Sequence, residues 1–230
     1  MTRAAAPLVL AAHGSANPHY ATVITTLAST VAAARPDVDV RIGYLDHGRP
    51  RLEDVAAAGS VVVPTLLTNG FHVHIDIPAR AAELTTVTTA IGPDPRLALV
   101  LLDRLREAGW RGDRPVVVAG AGSADEQALD DVRRTARGLA ELTGVRARAA
   151  FAGSGAPRLE ASDDDAVVPY VIGPGRYATL IAGCGAPIVA APLGAHPLLA
   201  EIIIDRYDSV IDEGFAPRSP HARVLAVRHR

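Results

Sequence analysis

Short apolar, β-branched runs alternate along this chain with longer segments of helical periodicity, and turn residues separate one from the next. Residues 7–12 (PLVLAA) predict a buried strand that ends in His13-Gly14-Ser15-Ala16-Asn17, a composition suited to a tight turn. A helix is predicted over 18–34, with Pro18 in its first turn and Arg35-Pro36 stopping it. Residues 38–45 alternate as a strand and end in Asp46-His47-Gly48. A short helix near 51–58 leads to a third apolar run over 60–67. Thr68-Asn69-Gly70 breaks that run, and Phe71-His72-Val73-His74-Ile75 reads as an extended loop. Asp76 then caps a helix over 78–84 with Pro78 in its first turn. A strand over 85–91 and a helix over 95–108 complete the first half. Regular strand-helix alternation predicts a parallel sheet with helices on both faces.

The pattern then begins again. Pro115-Val116-Val117-Val118-Ala119-Gly120-Ala121-Gly122-Ser123 repeats PLVLAAHGS at an offset of 108, and Pro157-Arg158-Leu159-Glu160 repeats Pro50-Arg51-Leu52-Glu53 at 107. Val168-Pro169 repeats Val63-Pro64 at 105, and LGAHPLLAEIIIDR, from Leu193, repeats IGPDPRLALVLLDR, from Ile91, at 102. Four matches in order define two copies of one α/β unit, 1–110 and 115–212, joined by a Gly- and Asp-containing linker near 109–114. A tail over 213–230, containing arginines and histidines, is expected to decorate the surface.

The repeat separates scaffold from site. His13 falls opposite Ala121, Asp46 and His47 opposite Gly153 and Ser154, and His72 and His74 opposite Tyr177 and Thr179. Core residues and turn glycines recur, whereas these ionisable loop residues do not. His13, Asp46 and His72 each follow a different strand, at the carboxyl edge where open α/β sheets bind ligands, so function is expected in the first half. Ser15 and Ser123 recur in both halves and are expected to serve the turns.

Composition narrows the class. Of the 230 residues 49% are hydrophobic and the net charge is −2, so neither disorder nor the basic footprint of a nucleic-acid binder is expected. The lone Cys184 excludes an internal disulfide and a multi-cysteine metal site. No apolar run approaches a membrane span and no signal-peptide pattern precedes the first strand, so a cytoplasmic protein without membrane partners is expected.

Two imidazoles with a carboxylate form a donor set that holds a first-row divalent metal and still releases it, where thiolates would trap it. Imidazole also accepts protons near neutral pH. Small residues at Gly14, Ser15, Ala16 and Gly70 leave room for a flat ligand, and Arg49, Arg51 and Arg80 are candidate partners for its carboxylates.

Strand-AHGS, strand-LD and strand-GFHVHIDIP together resemble the sirohydrochlorin chelatases of the siroheme and cobalamin pathways. The internal repeat is similar to their long single-chain members, which look like two fused copies of a short homodimeric form; the likeness extends to about residue 212. The resemblance implies two tandem three-layer α/β lobes, each with a mostly parallel four-stranded sheet, facing each other across a cleft. It further implies a class II chelatase, a lyase inserting Co²⁺ or Fe²⁺ (with Ni²⁺ a further substrate metal) into sirohydrochlorin or a related tetrapyrrole. Neither ATP nor an organic cofactor takes part, and the protein would be a monomer. His13 and His72 would bind the metal, with Asp46 as the acidic residue where Glu is more usual. Gly14, Ser15, Gly70, His74 and Tyr177 would face the tetrapyrrole; His74 stands where Lys is frequent. Two other readings stay open on the residues: a metal or tetrapyrrole carrier without turnover, and a phosphate-handling enzyme with His13 as nucleophile.

Overall fold

A computed structural model describes residues 5–212; the tail over 213–230 lies outside the described residues. The first half supplies β1 (Leu8–Ala12), α1 (Pro18–Ala34), β2 (Val40–Tyr44), α2 (Leu52–Val55), β3 (Val61–Pro64), a π-helical turn (His72–Asp76), α3 (Ile77–Arg80), β4 (Thr86–Val87) and α4 (Arg96–Glu107). The second supplies β5 (Val116–Gly120), α5 (Glu126–Thr143), β6 (Ala147–Phe151), β7 (Ala166–Tyr170), α6 (Arg176–Ala182), β8 (Ile188–Val189) and α7 (Pro197–Asp212). Each half forms a four-stranded, all-parallel sheet of matching order, β2-β1-β3-β4 and β6-β5-β7-β8. The expected α/β class, paired four-stranded sheets and repeat are therefore borne out.

The central strands β1 and β5 are wholly buried, as continuous apolar runs covered on both faces require. α1 begins where Asn17 accepts the His19 N–H at 3.0 Å, with Pro18 at its first position. The predicted strand over 85–91 shortens to Thr86–Val87. At this sheet edge Thr88 N–H continues the pairing, Ala90 N–H turns to the Asn69 side chain at 3.3 Å, and Ile91 N–H rejoins β3 at Pro64 O at 3.1 Å. The helix predicted near 51–58 is a single turn, closed where Asp54 accepts the Arg51 N–H at 2.9 Å.

The helices do not respect the division of the sheets. α4, from the first half, packs on β7 and α5, while α7, from the second, packs on β3 and α1. The linker over 109–114 thus separates two sheets that have exchanged one helix each. The inner faces of both sheets, with α1, α4, α5 and α7, form one continuous apolar core, including Leu8, Leu10, Ile24, Leu101, Val118, Leu139 and Ile203. Two smaller clusters lie on the outer faces, under α2 and α3 in one half and α6 in the other. Polar contacts close the seam. Tyr170 Oη donates to Leu67 O at 3.0 Å, and the buried Asp131 accepts the Asn69 N–H at 2.8 Å. Both contacts hold the loop that follows β3. No helix among the described residues is long and apolar enough to cross a membrane.

Candidate functional site

His13 and Asp46 are neighbours because the β1–β2 ladder runs one step past the strands. Ala12 pairs with Tyr44, Leu45 N–H reaches Ala12 O, and Asp46 N–H reaches His13 O at 2.8 Å. Gly14 makes the turn possible: its φ is +93°, and a Cβ there would stand 2.1 Å from the His47 carbonyl oxygen. The imidazole Nε2 of His13 lies 3.7 Å from Asp46 Oδ2, longer than a hydrogen bond but within Coulombic reach. Its Nδ1 is 3.2 Å from Gly14 O.

His72 arrives from the loop after β3. The His13 and His72 rings stand edge to face, with centroids 4.8 Å apart, so the three strand ends do bring both imidazoles and Asp46 together. All three side chains are partly exposed, at 43% for His13, 49% for Asp46 and 37% for His72, so a ligand can reach them from solvent. Among the described residues no closed group of three or more His, Cys, Asp or Glu side chains converges for a metal ion. The arrangement is a pair of imidazoles with a carboxylate to one side.

The segment carrying His72 is helical, which corrects the expectation of an extended loop capped by Asp76. Residues 72–76 form a π-helical turn, and Ile77 N–H bonds His72 O five residues back. Pro78 offers no N–H and its ring crowds the carbonyl four residues earlier, so the preceding turn widens. The second half shows what was inserted. Ile77 and Ile181 occupy matching buried places, yet five residues separate His72 from Ile77 and only four separate Tyr177 from Ile181.

Asp76 makes no cap hydrogen bond. Its Oδ2 lies 2.9 Å from His72 Nδ1, and its Oδ1 accepts Arg80 Nε–H at 2.6 Å. Burial alone would raise its carboxyl pKa. The hydrogen bonds from His72 and Arg80 and their charge outweigh that and hold it below the ordinary carboxylate range. Sequence reasoning missed this role; the signal was the helical spacing of His72, Asp76 and Arg80. His74 is exposed and points away from His72 because two residues turn a helix by about half a revolution.

The remaining candidates divide. Arg51 donates to the Leu45 and Asp46 carbonyls, and Arg80 to Asp76 and Leu45 O, so neither is a free cation. Arg49 is exposed and has no ion pair among the described residues. Ser15 Oγ accepts Asn17 N–H and Ser123 Oγ accepts Asp125 N–H, the same turn role in both halves. Gly70 lies against Ala128 of α5 and Asp125, the residue that caps it. Phe71, 62% exposed, places its ring 5.9 Å from that of His72.

In the second half the corresponding place is filled. Gly153 N–H bonds Ala121 O, as Asp46 bonds His13, and a Cβ on Gly153 would stand 2.9 Å from Tyr177 Cε1. The phenol ring thus occupies the space a side chain at 153 would need. α6 nevertheless adjoins the first half's site loop, since a Cβ on Gly175 would come 2.9 Å from Ser15 Oγ. A polar depression of about 330 Å³ at the amino ends of β5 and β7, lined by Arg114, Arg146, Asp164 and Asp165 among others, contains no imidazole or thiol. It offers no comparable chemistry.

Comparison with known proteins bears on the family and the fold. The CbiX family model matches residues 7–108. A sirohydrochlorin cobaltochelatase of Methanosarcina acetivorans is 37% identical over 73 residues, covering 29% of this chain and 56% of the relative, so the aligned stretch spans about half the relative's length. One from Methanopyrus kandleri is 26% identical over 136 residues, 44% of this chain and 95% of that relative. Among solved structures, SirB from Bacillus subtilis with Fe³⁺ superposes with a TM-score of 0.73 at 20% identity, covering 92% of this chain and 99% of that one. CbiX, described as the terminal enzyme for siroheme biosynthesis in denitrifying bacteria, gives 0.69 at 20% identity, covering 91% and 100%. At these identities the solved structures speak to the fold alone, and they match it across both halves.

Proposed function

With residues 7–108 matched by the CbiX family model, we propose that this protein is a sirohydrochlorin chelatase, inserting Co²⁺ or Fe²⁺ into the macrocycle without a nucleotide. The observation that carries the reading is the edge-to-face pair His13–His72 with Asp46 beside it, at the carboxyl edge of the family-matched sheet. The metal ion is a substrate here. Two imidazoles bind it firmly enough to position it and leave most of its coordination sphere for the tetrapyrrole nitrogens.

Insertion replaces two pyrrole protons by one M²⁺, so two protons must leave. Once the ion has passed to the macrocycle, the freed His13 imidazole takes up one of them, with the Asp46 carboxylate at 3.7 Å stabilising the imidazolium, and the other leaves to solvent. His72, backed by Asp76, serves as the metal-holding imidazole. Phe71 supplies an apolar surface beside the imidazoles, and Tyr177 on α6 supplies the opposite wall of a cleft for the ring. Arg49, exposed and without an ion pair among the described residues, is a cation available to a peripheral carboxylate. The relatives' names and a neighbour solved with cobalt support Co²⁺, a neighbour solved with Fe³⁺ supports iron, and histidine with carboxylate donors discriminates weakly between them. The protein acts as a cytoplasmic monomer on this reading, both halves of its substrate cleft coming from one chain.

The test is anaerobic absorbance of purified protein with sirohydrochlorin and each metal in turn. Many turnovers per chain are expected with wild type. His13→Ala and His72→Ala should abolish insertion with unchanged far-UV circular dichroism. Stoichiometric binding without turnover, or either variant at near wild-type rate, would overturn the proposal.

A further inference from the structure

We infer that Asp76 and Arg80 act as positioning residues that lock His72 in the tautomer with its proton on Nδ1, leaving Nε2 as a bare lone pair for the incoming metal. The inference rests on the chelatase reading of this site and adds two residues and a mechanism to it. The carboxylate of Asp76 has only lone pairs to offer, so the 2.9 Å contact with His72 Nδ1 requires the hydrogen to lie on that nitrogen. In a neutral imidazole the other nitrogen, Nε2, is then unprotonated. Asp76 is itself held: its side chain is 14% exposed and its other oxygen accepts Arg80 Nε–H at 2.6 Å. Arg80 in turn donates to Leu45 O, next to Asp46, so the ladder is anchored on the carboxyl end of β2. The widened turn before Pro78 gives the segment its fit, with His72, Asp76 and Arg80 at successive spacings of four.

The second half supports a dedicated role. Aligning the buried Ile77 with Ile181 sets Leu180 opposite Asp76 and Cys184 opposite Arg80, and Tyr177 stands opposite His72. Imidazole, carboxylate and guanidinium are lost together, while the buried isoleucine that packs the helix is kept. A purely structural ladder would have no reason to vanish with the imidazole.

Arg80 makes the consequence sharp. In Asp76→Asn the guanidinium, a donor only, takes the amide oxygen and turns the amide NH₂ toward His72 Nδ1. That nitrogen must then accept, which moves the proton to Nε2 and blocks the metal-facing lone pair. Removing the competing donor in Asp76→Asn/Arg80→Met frees the amide to rotate and present its oxygen to His72 again. The second substitution should therefore repair the first.

The experiment uses the full chain with ¹⁵N-labelled histidine. Long-range ¹H–¹⁵N spectra of His72 give the tautomer without metal, and calorimetric titration with Co²⁺ alone gives affinity. Wild type should show Nδ1–H, and Asp76→Asn should show Nε2–H with Co²⁺ binding weakened up to about 100-fold. The double variant should return to Nδ1–H and recover at least about tenfold of that loss. An Nε2–H imidazole in wild type overturns the inference even if Asp76→Asn fails to fold. So does a double variant that binds no better than the single one. Asp76→Asn binding like wild type, where His72→Ala has lost Co²⁺, defeats the inference alone. His72→Ala titrating like wild type defeats the chelatase reading and the inference together.

Discussion

Asp94 is the point where the two exchanged helices are tied to each other. It sits just before α4, is almost wholly buried, and its Oδ1 accepts the Arg96 N–H at 3.0 Å and Nε–H at 2.9 Å. Its Oδ2 accepts Arg96 Nη2 at 3.1 Å and Arg206 Nη2, from α7, at 3.2 Å. In Asp94→Asn the Oδ1 bonds can survive, but the amide NH₂ would face two guanidinium donors. Hydrogen bonds to charged groups contribute about 1.5–3 kcal/mol each. Losing two of them, with a buried charge left short of its partner, should cost about 3–5 kcal/mol. At a urea m-value of about 2–3 kcal/mol/M, the midpoint should fall by roughly 1–2.5 M at pH 7. The pH dependence follows from the direction of the shift. Burial would raise the Asp94 carboxyl, but the Arg96 hydrogen bonds and the charges of Arg96 and Arg206 hold it below its ordinary value. Its contribution is therefore complete above the unfolded value of about 3.9 and lost as pH falls through the lower folded value. Urea unfolding followed by circular dichroism at pH 7, and again in acid below that value, measures both. A midpoint shift under about 0.3 M at pH 7, or an equal penalty in acid, would refute the reasoning.

Other outcomes are expected at the site and its mirror. Gly14→Ala forces a side chain into the His47 carbonyl at φ +93° and should lose more than about 2 kcal/mol in thermal or urea melts, with Co²⁺ insertion lost alongside. His196 uses Nδ1 to accept Leu198 N–H at 3.3 Å and has Nε2 3.4 Å from Asp103. Calorimetry should therefore count one Co²⁺ per chain in wild type and in His196→Ala alike, and two falling to one would reveal a second site. Tyr177→Ala should raise KM for sirohydrochlorin several-fold and leave kcat near wild type, which steady-state kinetics would separate; an unchanged KM removes Tyr177 from the cleft. His74→Ala, on the far side of its turn, should cost little in the same assay.

The parts of this molecule governed by local patterning were legible in the sequence. Buried parallel strands such as β1 announce themselves as continuous apolar runs, and α1 announces itself by Asn17-Pro18 at one end and Arg35-Pro36 at the other. The meeting of His13 and Asp46 was legible too, because parallel strands place their carboxyl ends on one edge. Exchange of α4 and α7 was not: an amphipathic helix records which face is apolar and says nothing of which sheet it covers. The π-helical turn escaped for a different reason. Phe71-His72-Val73-His74-Ile75 alternates like a strand, and only the demands of Pro78 and the seam contacts at Leu67 and Asn69 wind it up. Asp76 and Arg80 were misassigned with it, since a wrong period puts the wrong residues side by side.

The exchanged helices also fix an order of events at the ribosome. When the first half has emerged, β3 already exposes Val61 and Val63 on the face that α7 will cover beside α1, while α4 has no second sheet to sit on. The second sheet can close as soon as β7 appears, because its helix has been waiting. The first must keep an apolar face uncovered until residues 197–212 are made. For the interval between, at about 5–20 residues per second, that face is open to wrong partners, including the same face of a neighbouring nascent chain. The half that holds the candidate chemistry is thus the last to become whole.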